Sequence, residues 1–117
     1  MKTTLLFLSV FLAANLFGQS TYFDSGIEHH KQGEYQEAID DYNSAIKNDP
    51  NYADAYVNRG AAYHNLGKHQ EAIDDFNTAI KINPNYAKAY YNRGMVCKKL
   101  GRYQEAIADY TTAIKIN

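Results

Sequence analysis

Four histidines, one cysteine and two pairs of adjacent aspartates are the residues of this chain that could do more than solvate a surface. His30 and His64 stand 34 residues apart, a separation that recurs below, yet two neutral imidazoles make a weak metal site by themselves. His29 and His69 add no third ligand at an evident spacing, so no metal is expected. Cys97 has no partner for an internal disulfide and no flanking nucleophile signature; it is expected to pack as a small hydrophobe. Asp40-Asp41 and Asp74-Asp75 are neighbours in sequence, and neighbours on a helix point about 100° apart. Neither pair forms a general acid/base couple, and both are expected on solvated faces. No phosphate-cradling glycine loop, zincin helix or nucleophile elbow occurs. The expectation is a protein without catalysis and without a cofactor.

Binding is the class that remains, and composition narrows its partners. With Lys+Arg 12 against Asp+Glu 13 and a net charge of -1, nothing in the bulk charge favours a nucleic acid or an anionic membrane. A chain of 117 residues, 45% hydrophobic and 21% charged, suits one modest globular domain. Eleven tyrosines and no tryptophan suggest that one residue type is reused at equivalent places.

The first stretch differs from the rest. Lys2 is the only charge before Asp24, and Leu5, Leu6, Phe7, Leu8, Val10, Phe11, Leu12, Ala13 and Ala14 form a short apolar run. A membrane span needs roughly twenty apolar residues, whereas this run is shorter and broken by Ser9 and Asn15. Residues 1–20 are therefore expected to be a secretory signal peptide, cleaved after Ser20 in preference to Gly18. The mature chain, 21–117, would be exported to the periplasm or medium, with no membrane contact beyond the cleaved signal.

Shifting the chain against itself by 34 residues aligns 19–52 with 53–86 at 17 of 34 identical positions, and 53–83 with 87–117 at 19 of 31. The chain thus holds three repeats, 19–52, 53–86 and 87–117, the last three residues short. Gly33, Gly67 and Gly101 follow amphipathic stretches and suit left-handed helix ends. A second helix then opens with Glu37, Glu71 or Glu105 near its positive end. In the first repeat it continues with Tyr35, Ala38, Ile39, Tyr42, Ala45 and Ile46 on one face. Pro50 and Pro84 stop the second helices. Gly26, Gly60 and Gly94 fall inside the first helices, where glycine costs about 1 kcal/mol relative to alanine. Close helix approach opposite Ala38, Ala72 and Ala106 is the expected reason.

Tyr56, Gly60, Tyr63, Ala72, Phe76 and Pro84, at their spacing and a 34-residue period, resemble the tetratricopeptide repeat. The resemblance covers 19–117. The leucine of that pattern is replaced by Ser25, Arg59 and Arg93, and Cys97 stands where a tyrosine is usual. The resemblance implies an all-α fold: six helices in three helix-turn-helix pairs, wound as a right-handed superhelical solenoid behind the signal peptide. It also implies that the first helix of each pair lines a concave groove that binds a peptide or protein.

Second helices are nearly constant between the repeats and first helices vary, which locates the expected groove. Its residues are Phe23, Ile27, His30 and Lys31 in the first repeat, then Val57, Asn58 and His64, then Lys88, Tyr91, Asn92, Met95, Lys98 and Lys99. Lysines outnumber the one opposing charge, Asp54, so the expected ligand is a peptide with acidic character anchored near Phe23, Val57, Tyr91 and Met95. The competing view is that variable positions on a solvated face are simply unconstrained. One subclass of the family grips chaperone C-termini with two Lys, two Asn and one Arg. Here Asn58 and Lys88 fit two of those places, while Phe23, Ile27 and Asn92 occupy the others, so that mode of binding is not expected. The last repeat leaves Tyr103, Ile107, Tyr110 and Ile114 without a following helix. A self-assembling module, or a fragment of a longer repeat protein, is the alternative.

Overall fold

The computed structural model describes residues 21–117, so the expected signal peptide lies outside the described residues. Six helices follow one another: α1 (21–31), α2 (Tyr35–Asn48), α3 (Ala53–Asn65), α4 (His69–Ile82), α5 (Ala87–Lys99) and α6 (Tyr103–Ile116). Among the described residues there is no strand, and no helix is long and apolar enough to cross a membrane.

The turns form where the sequence predicts them. Gly33, Gly67 and Gly101 have φ of 78°, 77° and 77°. Each ends its helix with two backbone hydrogen bonds: the Gly33 N–H donates to the His30 carbonyl and the Glu34 N–H to the His29 carbonyl, and the pattern repeats at Gly67 and Gly101. The first turns of α2, α4 and α6 carry Glu37, Glu71 and Glu105, on the side the helix dipole favours. After α2 the Asp49 side chain accepts the Asn51 N–H, and Asn83 does the same for Asn85 after α4. The Tyr56 and Tyr90 hydroxyls then donate to the carbonyls of Pro50 and Pro84, tying the next helix to the turn before it.

α3 packs on α4 and α5 on α6 within their repeats, and α2 meets α3 and α4 meets α5 between repeats. The core is continuous through these contacts: Val57, Ala72, Ile73, Phe76, Ala79, Ala89 and Val96 form one buried cluster spanning the second and third repeats. The buried glycines fit this packing, with one correction. A Cβ on Gly60 would lie 2.7 Å from the Phe76 ring, and one on Gly26 would lie 2.5 Å from the Tyr42 ring. The crowding comes mainly from the aromatic side chain four residues beyond the alanine, not from the alanine itself.

The aspartate pairs are also corrected. Asp40 and Asp74 are exposed, but Asp75 and Asp109 are 5% and 6% exposed. Arg59 binds Asp75 through two hydrogen bonds, Nε at 2.8 Å and Nη2 at 2.7 Å, and Arg93 binds Asp109 in the same way at 2.9 and 2.7 Å. Arg59 and Arg93 also donate to Asn43 and Asn77 of the preceding repeats. Ser25 makes the corresponding contact to Asp41 at 2.7 Å. The residues that replace leucine thus form a polar ladder, and each arginine joins two repeats.

Candidate peptide-binding groove

The first helices α1, α3 and α5 are brought side by side by the second helices behind them, so their equivalent positions face one space. A cleft of about 400 Å³ is lined by Ile27, His30, Lys31, Tyr42, Asn58, Ala61, Lys88 and Asn92. Six of these were expected from sequence: Ile27, His30, Lys31, Asn58, Lys88 and Asn92. A smaller cleft of about 80 Å³ adjoins it through Ala61 and Asn92 and adds His64, Asn65, Phe76 and Met95. Both clefts are walled by apolar side chains and carry amides and imidazoles, the larger also the ammonium groups of Lys31 and Lys88, with no carboxylate side chain among their lining residues.

The remaining expected residues are placed elsewhere. Val57 is fully buried in the core cluster with residues of α4 and α5 and cannot anchor a ligand. Phe23 packs against the rings of Tyr52 and Tyr42, with centroids 4.8 and 6.0 Å away. Tyr91 and Lys98 belong to a separate cleft between α5 and α6, which shares only Lys88 with the first. Lys99 is exposed in the last turn of α5, where the helix dipole favours a cation, and it lines none of these clefts.

Tyr42 was not among the residues expected at this site. Its place on the apolar face of the second helix pointed to the core, but it lines the cleft and hydrogen-bonds Asn58; burial, with Asp41 nearby, pushes its pKa up to about 12. The Arg–Asp ladder was also missed. A signal existed: Ser25/Asp41, Arg59/Asp75 and Arg93/Asp109 all share a separation of 16 residues.

The histidines of the clefts make hydrogen-bonded contacts, and their surroundings favour the neutral form. Asn65 donates its amide to His30 Nε2 at 3.1 Å, and burial together with the Lys88 charge lowers the His30 pKa from 6.5. His64 pairs with His69 through their Nδ1 atoms at 3.2 Å, and burial, His69 and Lys99 lower its pKa too. His29, by contrast, donates to Asp41 at 2.7 Å, and that bond raises its pKa. Among the described residues no group of three or more His, Cys, Asp or Glu is placed to hold a metal ion. Cys97 is 3% exposed, and burial pushes its thiol pKa up.

A TPR repeat model matches residues 26–67, and the tetratricopeptide repeat model matches 53–86 and 87–117. The chain belongs to the tetratricopeptide repeat family. Among curated proteins none matches it. Solved tetratricopeptide domains are similar over most of its length. The Arabidopsis OM64 TPR domain is 32% identical with a TM-score of 0.85, over 88% of this chain and 85% of that one. The first TPR of Spaghetti (RPAP3), bound to the HSP90 peptide SRMEEVD, is 34% identical with a TM-score of 0.82, over 85% and 79%. The TPR2B domain of yeast Sti1, in a pHsp70 complex, is 28% identical with a TM-score of 0.83, over 86% and 80%.

Proposed function

We propose that this tetratricopeptide repeat protein is a non-catalytic interaction scaffold that holds an acidic peptide in the cleft between α1, α3 and α5, and that it does so outside the cytoplasm. The observation that carries the binding reading is the lining of that cleft. Lys31, Lys88 and His30 stand with Asn58 and Asn92 around an apolar floor of Ile27 and Ala61, and no carboxylate is among them. An extended peptide entering this space meets side-chain donors for its carboxylates and apolar contact for its anchors. The similar RPAP3 domain holds a peptide with two adjacent glutamates and a terminal aspartate, which supports an acidic ligand class. Phe23, Ile27 and Asn92 differ from the five-residue carboxylate grip, so affinity here rests on Lys31 and Lys88 and on internal side chains of the peptide.

The test is anisotropy of labelled acidic peptides, SRMEEVD among them, each paired with its Glu→Gln and Asp→Asn counterpart. Acidic members should bind, and their neutral counterparts should bind about tenfold more weakly. Reversing the two lysines by K31E and K88E should abolish that preference. Equal binding of acidic and neutral peptides would remove the reading. The export reading rests on residues 1–20, and its check is N-terminal sequencing of protein recovered from outside the cytoplasm, expected to begin at Thr21. Intact Met1 on that protein would refute cleavage.

A further inference from the structure

His64 and His69 meet across the turn of the second repeat, Nδ1 to Nδ1 at 3.2 Å, with ring centroids 5.2 Å apart and both residues half-buried. Two neutral imidazoles at this distance share one hydrogen. The same distance also suits a shared metal ion, because two nitrogens each about 2.0 Å from one ion stand roughly 3.3 Å apart at a tetrahedral angle. The backbone holds the pair in place. Gly67, at φ 77°, closes the turn; its N–H donates to the His64 carbonyl and the Lys68 N–H to that of Tyr63, each at 2.9 Å. α3 and α4, which carry the two rings, pack on each other.

The fold does not need two imidazoles at this turn. The equivalent places hold His30 and Tyr35 in the first repeat and Lys98 and Tyr103 in the third. The His30 and Tyr35 rings meet edge to face, with centroids 5.3 Å apart, beside the same kind of glycine turn. An aromatic pair therefore meets the packing requirement, and the second repeat alone places two ring nitrogens together. Comparing His30 with His64 at the 34-residue period passed over this relation, which runs five residues along the chain inside one repeat.

The surroundings select the ion. His64 lines the smaller cleft together with Met95, and no carboxylate side chain lines that cleft. Lys99 brings positive charge towards His64. A site of this kind disfavours hard or doubly charged ions, whereas imidazole with thioether suits copper(I). We infer that His64 and His69 hold one copper(I) ion through their Nδ1 atoms, with the Met95 thioether as the third donor. Burial already favours the neutral His64 ring that a metal requires. Binding needs both Nδ1 atoms bare, and a tautomer change that leaves each ring hydrogen on Nε2 supplies this without loss of a proton from the pair.

The experiment titrates the full chain anaerobically with copper(I) against a chromophoric copper(I) chelator, and with zinc(II) in parallel. One copper(I) per chain is expected, with the ring nitrogen signals of His64 and His69 shifting in NMR spectra and those of His29 unmoved. H69Y copies the His–Tyr pair of the first repeat, so it should keep the parent's thermal melt. It should nevertheless lower copper(I) affinity at least about a hundredfold, since losing even an outer-shell partner of a metal site costs about 10–100-fold. M95L should weaken binding about tenfold and reduce the preference over zinc(II). C97S should bind as the parent does, which separates the site from the buried thiol. Tighter binding of zinc(II), parent affinity in H69Y or M95L, or loss of binding in C97S would each overturn the proposal. Peptide binding in the concave cleft is measured without metal, so either result leaves the other reading intact.

Discussion

Replacing Arg59 with leucine restores the residue usual for the tetratricopeptide pattern, and the structure says it should harm this protein. Arg59 donates twice to Asp75 and once to Asn43, at 2.7 to 2.8 Å, and Asp75 is only 5% exposed. The leucine strands that carboxylate. Breaking a buried pair from one side costs about 3–5 kcal/mol, and the carboxyl limits the loss by taking a proton. From its ordinary 3.8 to an assay at pH 7, full neutralisation costs about 4 kcal/mol, at about 1.4 kcal/mol per unit. Added leucine packing offsets part of this, so the expected loss is about 3 kcal/mol in urea denaturation at pH 7. The sign of the pH dependence follows. In the variant the folded carboxyl titrates above the unfolded one, so the deficit is smallest below pH 3.8 and grows as pH rises towards neutrality. D75A should cost less, about 1–2 kcal/mol, because the Arg59 side chain is 19% exposed and still reaches water. R59L combined with D75L should return to within about 1 kcal/mol of the parent. A loss below about 1 kcal/mol for R59L, or a double variant as unstable as the two single losses added, would refute the reasoning.

The glycines make a paired prediction. G60A drives a Cβ to 2.7 Å from Phe76, whose ring is fully buried and cannot retreat, so the overpacking exceeds the helix-propensity gain by about 1–2 kcal/mol in thermal or urea melts. G94A meets Tyr110 at 2.9 Å at the open end, where the ring has room to move, and should fall within about 1 kcal/mol of the parent. The histidines should titrate in opposite directions by NMR: His29 above 6.5, because Asp41 holds its proton, and His30 and His64 below it, because burial disfavours their charge. His29 thus contributes stability that is present below pH 6.5 and lost as pH rises through its folded value. His30 and His64 contribute stability that is present above 6.5 and lost as pH falls towards their folded values. Protonating His30 also adds a cation to the cleft, so acidic-peptide affinity should rise as pH falls below 6.5 and through its lowered folded value. Affinity flat across that range, or reproduced in H30Q, would remove His30 from the site.

Much of the fold was legible because its signals were periodic. Gly33, Gly67 and Gly101 sit where only a left-handed residue ends the helix, and the recurrence at 34 residues exposed them without any homologue. The candidate site was legible more coarsely. Variation between first helices located the right surface but could not separate Val57, which faces the core, from Asn58, which faces the cleft. One residue on a helix is a turn of about 100°, so a face inferred from variability alone carries an error of that size. The aspartates were misplaced for a related reason. Adjacency in Asp74-Asp75 drew attention to the pair, whereas the physical relation runs from Asp75 to Arg59, sixteen residues earlier and across the helix pair.

That relation bears on binding as well as stability. Arg59 reaches from α3 to Asn43 in α2 and Asp75 in α4, and Arg93 reaches from α5 to Asn77 in α4 and Asp109 in α6. Each arginine therefore sets the spacing of a first helix against the second helices on both sides. The cleft is formed by other residues of those same first helices, with Ile27, Asn58, Ala61 and Asn92 among its walls. A shift of α3 relative to α1 would open or close it directly. A hydrophobic residue in place of Arg59 would fill the space but would not fix a direction, since apolar contact is non-directional whereas a two-pronged guanidinium–carboxylate pair is not. R59L with D75L should thus recover stability yet broaden the NMR signals of Ile27 and Asn58 and weaken peptide binding. Sharp signals and unchanged affinity would show that the ladder holds the repeats together without shaping the groove.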